Sequence, residues 1–158
     1  MARYYHVEAL SFRGFGYVLE ENVIDTMSEY FDSIGDHDAI QCVSGTEQDL
    51  LQGTDLYIYR VPVDITNNLA GKDNTYVFDK AIDLFGGIRV RFGVRTGNSH
   101  HGYTPFETPV LVIALDGASD SFMSTWMTNI LDALKKAAGT IIDAGMDQYW
   151  DWCDANLA

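Results

Sequence analysis

The sequence predicts a single α+β domain in which helices cover a central β-sheet that is mixed or antiparallel. Three observations support this. Residues 17–35 carry apolar side chains at helical spacing, residues 88–95 alternate between apolar and other side chains, and residues 109–115 form an unbroken apolar run. A length of 158 residues corresponds to one domain, spanning 1–158, and no repeat or linker divides the chain.

The N-terminal part predicts one strand followed by one helix. Residues 3–12 are rich in aromatic and β-branched side chains, which is typical of a strand. The glycine-containing segment 13–16 is expected to end that strand. The helix follows over 17–35, with Glu20 in its first turn, where the helix dipole favours an anion. Gly35 is a natural stop at its C-terminus.

The middle of the chain predicts short elements. A strand is expected at 39–43 and one helical turn at 47–51. Residues 53–68 predict a hairpin in which only Val61 and Pro62 separate two strands.

The remaining elements are a pair of strands and the C-terminal helices. Residues 75–85 are ambiguous, whereas 88–95 is the clearest strand, and the run 109–115 is typical of a strand buried on both faces. Ser119 is a suitable N-cap for a long helix. We expect Gly139 to interrupt it and a last helix to cover roughly 140–154.

The charge balance restricts the partners. There are 23 acidic and 10 basic residues, and the net charge is −13. Such a charge repels nucleic-acid phosphates at long range and suits a basic protein partner or a carboxylate cluster filled by cations. Solubility alone is the alternative explanation.

The cysteines and the hydropathy pattern favour a cytoplasmic protein. Cys42 and Cys153 are far apart and form no metal-binding motif or disulfide framework, which fits a reducing compartment. No signal peptide opens the chain and no apolar run reaches the length of a membrane span, so we expect no membrane association.

The predicted hairpin carries two acids that could share a metal. Asp55 begins one strand and Asp64 lies on its neighbour, so their side chains can converge at one end of the sheet. A hard cation, Mg²⁺ or Mn²⁺, would relieve their repulsion, and Asp49 could add a third ligand. The alternative is that these acids are turn and strand-end residues.

The hairpin also resembles a known family. The pattern "GTD", eight residues and "DIT" is similar to the active-site hairpin of the PD-(D/E)xK nuclease superfamily. The resemblance implies a metal-dependent phosphodiesterase with Asp55 and Asp64 as metal ligands. Thr66 stands in the position of the family's lysine, which puts activity in doubt because threonine carries no charge. Lys72, six residues on, could take that place, or the site is inactive.

A row of arginines is the one concentrated positive feature. Arg89, Arg91 and Arg95 fall on one side of the strand at 88–95 and could hold a phosphate. Alternatively, they pair with aspartates across the sheet. His100 and His101 lie in the following loop, which is either a lid over a ligand or a solvated loop.

Two main functions follow from these residues. The first is a metal-dependent phosphodiesterase or nuclease-like protein of phage or mobile-element type, acting on a nucleic acid or nucleotide. The second is a non-enzymatic acidic protein that binds a basic protein; by analogy with proteins of phages and mobile elements that counter host defences, it would be an anti-defence inhibitor or nucleic-acid mimic. A third prediction, homo-oligomerisation, depends on the C-terminal aromatic residues Tyr149, Trp150 and Trp152.

Overall fold

The computed structural model describes residues 12–42, 54–67, 69, 75–96, 109–117 and 123–157. These residues contain two long helices, α1 (Phe12–Ser33) and α2 (Met123–Asn156), and a short 3-10 turn at His37–Ala39. They also contain seven strands: β1 (Ile40–Cys42), β2 (Leu56–Ile58), β3 (Val61–Thr66), β4 (Thr75–Val77), β5 (Ile82–Phe85), β6 (Ile88–Arg95) and β7 (Val110–Asp116).

The strands form one mixed sheet in the order β1-β2-β3-β7-β6-β4, with β5 also pairing with β6. Strands β3 and β7 are parallel, and the other described pairs are antiparallel. The predicted α+β class with a mixed sheet is therefore confirmed, as are the strands expected near 39–43, 88–95 and 109–115.

One face of the sheet packs against both helices. The alternation of β6 and β7 sends every second side chain to this face, where apolar side chains of α1 and α2 meet them. The fully buried members of this core include Met27, Phe31, Phe92, Leu111, Ile113 and Tyr149. The opposite face of β7 is also buried, with Val112 and Ala114 in a smaller cluster with Leu69.

Helix α1 differs from the prediction at its start and agrees with it at its end. It begins at Phe12, so segment 13–16 lies inside the helix and does not separate it from a strand. Each helical glycine costs only about 1 kcal/mol, which the packing of the later turns can offset. The helix ends in a Schellman motif, with Gly35 at φ +75° and the Asp36 amide donating to the Phe31 carbonyl at 3.0 Å.

Helix α2 is continuous, so the interruption expected at Gly139 and the separate helix at 140–154 are wrong. Gly139 lies where α1 crosses α2. A Cβ there would be 2.7 Å from the Tyr30 hydroxyl oxygen. The glycine therefore permits close helix packing rather than ending the helix.

The hairpin turn lies two residues earlier than predicted. Tyr59 and Arg60 form it, both with positive φ (48° and 68°), and Val61 and Pro62 belong to β3. This is the geometry of a type I′ turn, for which Asn-Gly is the usual sequence signal. Tertiary contacts hold it: the Tyr59 hydroxyl donates to Asp36 Oδ2 at 2.9 Å, and the Tyr59 ring meets Phe31 edge-on at 5.5 Å.

The predicted strand at 3–12, apart from Phe12, the helical turn at 47–51 and the Ser119 cap lie outside the described residues. Of the helices that the structure describes, none has the length and apolarity needed to cross a membrane.

Candidate functional site

The sheet brings the two predicted acids together on the face opposite the helices. Asp64 pairs with Val112 across β3 and β7, and Asp55 directly precedes β2. The register that pairs Leu56 with Val63 places Asp55 across from Asp64. Both acids are buried, with 4% and 5% of their surface exposed. Asp55 and Asp64 therefore lie next to each other across the hairpin, and their role as metal ligands stays a prediction.

Each acid of the pair has a hydrogen-bond donor or a positive charge nearby. Asp55 Oδ2 accepts a hydrogen bond from the Ile65 amide at 2.7 Å, and Arg95 Nη2 lies 3.6 Å from Asp64 Oδ2. Burial, reinforced by the negative charge of Asp64, raises the pKa of Asp55 to about 11. Asp55 therefore keeps its proton at neutral pH, and the Arg95 guanidinium faces Asp64.

A divalent cation at this cluster would have to displace the Asp55 proton and compete with the Arg95 guanidinium, which lies 3.6 Å from Asp64 Oδ2. Within the described part of the chain, no group of three or more acidic, histidine or cysteine side chains could hold a metal. Asp49, the predicted third ligand, lies outside the described residues.

Of the other predicted catalytic and lid residues, the structure describes Thr66 alone. Thr66 ends β3, is half-buried and pairs with Ala114 of β7. Lys72, His100 and His101 lie outside the described residues. Their predicted roles stay predictions.

The arginine row has aspartate partners. Arg89 Nη2 lies 3.0 Å from Asp83 Oδ1, and Arg91 Nη1 lies 3.7 Å from Asp116 Oδ2. With the third arginine, Arg95, facing Asp64, each arginine has a carboxylate nearby. The arrangement matches the alternative in which these arginines pair across the sheet.

A second surface was missed by sequence reasoning. Four aspartates on the last turns of α2 are exposed, and they surround Trp150, which is 52% exposed. Their spacing of three and four residues places them on one side of the helix. We call this surface the acidic face, and it consists of Asp143, Asp147, Trp150, Asp151 and Asp154.

The signal for this surface was present in the sequence. The segment 137–158 contains these four acids and no lysine or arginine. The aromatic residues of this segment predict a core or a subunit interface, and no prediction was attached to the acids between them. In the structure, Tyr149 is buried and donates a hydrogen bond to the Pro109 carbonyl at 2.7 Å, whereas Trp150 faces solvent.

A scan against protein-family models and searches of curated proteins and of solved structures found no match for this chain. The basis for a functional proposal is therefore the geometry of these two surfaces.

Proposed function

We propose that this protein is a non-enzymatic acidic binding protein that docks on a basic partner protein through the acidic face of α2. The observation that carries the proposal is the placement of four exposed aspartates around an exposed tryptophan at the C-terminal end of a helix.

This placement lowers the stability of α2. Like charges three or four residues apart destabilise a helix by about 0.2–0.5 kcal/mol per pair. Anions near a helix C-terminus also oppose the macrodipole, and the last turn of α2 has no basic residue. Solubility requires only that charges be exposed somewhere. A local arrangement that costs stability is typical of a functional surface.

The composition of the acidic face favours a basic protein over a second copy of this chain. Tryptophan is enriched at the energetic centres of protein interfaces, and Trp150 supplies such an anchor. A second copy docked on the same face would bring four more aspartates against the first four, which like-charge repulsion disfavours. A basic surface would instead meet complementary charge.

The spacing of the aspartates on the acidic face indicates that the partner binds through a local basic patch. At a rise of about 1.5 Å per residue, successive aspartates are about 4.5–6 Å apart along the helix axis. Duplex DNA carries one charge per about 1.7 Å of its axis. The acidic face is therefore too sparse to imitate a duplex by itself, but it fits a basic patch on a cytoplasmic nucleic-acid-binding protein, the target expected of an anti-defence inhibitor.

The test is quantitative capture of partners by crosslinking mass spectrometry with two baits of equal net charge. The first bait combines Asp143→Asn, Asp147→Asn and Asp154→Asn, and the control combines three exposed acids elsewhere: Asp38→Asn, Asp79→Asn and Asp132→Asn. We expect a basic partner that the wild type and the control retain, that the first bait loses, and that dissociates between about 50 and 300 mM salt. Equal loss with both baits would show that only net charge matters and would overturn the proposal.

A metal-dependent phosphodiesterase is the second candidate, and the convergence of Asp55 and Asp64 favours it. The PD-(D/E)xK resemblance predicts that these two acids hold the metal. The Arg95 guanidinium opposes it, because it lies 3.6 Å from Asp64 Oδ2 and competes with a cation for that carboxylate.

Thermal unfolding with Mn²⁺ or Mg²⁺ tests this candidate. A metal site in the native state stabilises the protein by RT ln(1 + c/Kd), where c is the metal concentration, so the melting temperature should rise with the logarithm of metal concentration above the Kd, and Asp64→Asn should remove that rise. Each variant is compared with its own metal-free melting temperature, because the substitution itself changes stability. The absence of a metal-dependent shift in the wild type would end the candidate.

A further inference from the structure

A cleft of about 560 Å³ lies between the edge strand β4 and the last turns of α2. Its volume is in the range of small-ligand sites. The lining residues that could contact a ligand are Tyr76 and Phe78 from the sheet edge and Gln148, Asp151, Trp152 and Asn156 from α2. Asp151 also belongs to the acidic face, so the cleft and that face are continuous.

Three aromatic rings give the cleft its apolar walls. Tyr76 pairs with Val94 and therefore lies on the helix side of the sheet, as does Phe78. Their ring centroids are 5.6 Å apart at an interplanar angle of 64°. Trp152 adds an indole from α2, where it is partly buried against the core. The faces of aromatic rings attract cations, so such walls suit a positively charged ligand.

On the α2 side of the cleft, three side chains supply oxygen acceptors, and the Trp152 indole supplies an N–H donor. Asp151 contributes an exposed carboxylate. The Gln148 side-chain amide donates to the Ala144 carbonyl at 3.1 Å, and that of Asn156 donates to the Trp152 carbonyl at 2.8 Å. One N–H of each amide group is thus bonded to the helix backbone, and the amide oxygens can accept hydrogen bonds from a ligand. Among the described residues, no basic side chain lines the cleft.

We infer that this cleft binds an arginine side chain of the partner protein. A guanidinium is planar, stacks on aromatic rings and presents five N–H donors, which matches three aromatic walls and three oxygen acceptors. A quaternary ammonium has no N–H to donate, and a lysine ammonium cannot stack. The inference builds on the proposed function, because the cleft supplies the anchor point beside the acidic face.

The binding test uses a capped peptide, acetyl-Gly-Arg-Gly-amide, and ¹⁵N NMR of the full-length protein. We expect saturable shifts of the Trp152 indole N–H and of the Gln148 and Asn156 side-chain amides, with a Kd on the order of millimolar for one side chain. The citrulline peptide, which has the same shape without the charge, should produce no saturable shift. The lysine peptide should bind several-fold more weakly.

Matched variants separate the cleft from general electrostatics. Asp151→Asn should weaken binding about tenfold, since a charge-assisted hydrogen bond contributes about 1.5 kcal/mol or more. Asp143→Asn removes the same charge from the acidic face outside the cleft and should change the Kd less than about twofold, as expected for an exposed charge at a distance. Tyr76→Ala should also weaken binding, and because Tyr76 is 59% exposed, this variant should fold.

Three results would overturn the inference: no shift with the arginine peptide, equal shifts with the citrulline peptide, or equal weakening by Asp151→Asn and Asp143→Asn. The proposed function fails independently of this inference. If the partner is captured through the acidic face but the arginine peptide does not bind, the proposed docking surface is supported and the proposed arginine site in the cleft is wrong.

Discussion

Asp55 keeps its proton in the folded protein, and this has a consequence for stability. Its pKa lies near 11 in the fold and near 3.8 otherwise, so unfolding releases a proton at pH values between these two. Stability should then fall as pH rises through this window, because the unfolded chain binds fewer protons than the folded protein. Protonated Asp55 contributes its full stabilisation only at pH values below the pKa of the unfolded chain, 3.8.

The first prediction concerns Asp55→Asn. The amide keeps an oxygen for the Ile65 amide and offers an N–H toward Asp64, but it has no proton to release. We expect the variant to lose much of the decline in stability between pH 5 and 9 and to be more stable than the wild type at pH 8. Urea unfolding across this pH range measures it. Parallel stability curves for the two proteins would contradict a buried proton at Asp55.

The second prediction concerns the partner acid. Asp64→Asn removes the carboxylate that faces Arg95, which is only 5% exposed. Removing one partner of a buried ion pair costs about 3–5 kcal/mol. Urea unfolding should show this loss, and adding Arg95→Met should recover part of it because the buried positive charge is then gone. A loss below about 0.5 kcal/mol would mean that the pair is not buried as described.

At the scale of elements, the β2–β3 turn has an unfavourable local sequence. Arg60 is exposed and has φ +68°, a conformation that costs a non-glycine residue about 1–2 kcal/mol. Arg60→Gly should stabilise the protein by about 0.5–1 kcal/mol, since part of the relief is offset by the entropy of glycine in the unfolded chain. Tyr59→Gly should destabilise it, because the contacts of that side chain with Phe31 and Asp36 are lost. Thermal unfolding of both variants measures the difference, and a destabilised Arg60→Gly would contradict the turn geometry.

The pairing of β4 with β6 depends on Gly93. A Cβ at this position would lie 2.8 Å from the Tyr76 carbonyl oxygen and 2.9 Å from Thr75 Cγ2. Gly93→Ala should therefore displace β4 and cost about 1–3 kcal/mol, as in other overpacked sites. Since β4 carries Tyr76, the arginine-peptide shifts should weaken as well.

The control for Gly93→Ala adds Thr75→Ser. This substitution removes only the contact with Cγ2, so the clash with the backbone oxygen persists and stability should not return. Full recovery of stability would show that the Thr75 side chain, and not the β4 backbone, prevents a larger residue at position 93.

At the scale of the whole molecule, the net charge of −13 produces self-repulsion. We expect the melting temperature to rise as salt increases from about 10 to 300 mM, because screening weakens that repulsion. Combining Asp143→Asn, Asp147→Asn and Asp154→Asn should raise the melting temperature at low salt and reduce its dependence on salt. If the melting temperature depends on salt equally in the variant and the wild type, the aspartates of the acidic face do not lower the stability of the protein.

Sequence patterns predicted the parts of the fold that depend on local periodicity. The alternation in β6 and the apolar run of β7 identified the centre of the sheet, and the helical spacing of 17–35 identified most of α1. The sequence predictions were wrong at Gly139 and at the β2–β3 turn. At both places the structure depends on contacts between distant residues, namely the approach of Tyr30 to Gly139 and the contacts that hold Tyr59 at positive φ. Secondary-structure propensity describes the conformational preference of an isolated segment and does not include its tertiary contacts.

The sequence by itself determined the α+β class, the acidic charge and the opposition of Asp55 to Asp64 across a hairpin. Only the tertiary structure decided what those acids do, because Arg95 reaches Asp64 from two strands away and burial of the cluster keeps Asp55 protonated. It also decided that four aspartates and Trp150 share the outer side of α2, and that the sheet edge and this helix enclose a cleft. Charge and periodicity are properties of a chain, whereas burial and the meeting of distant side chains exist only once the chain is packed.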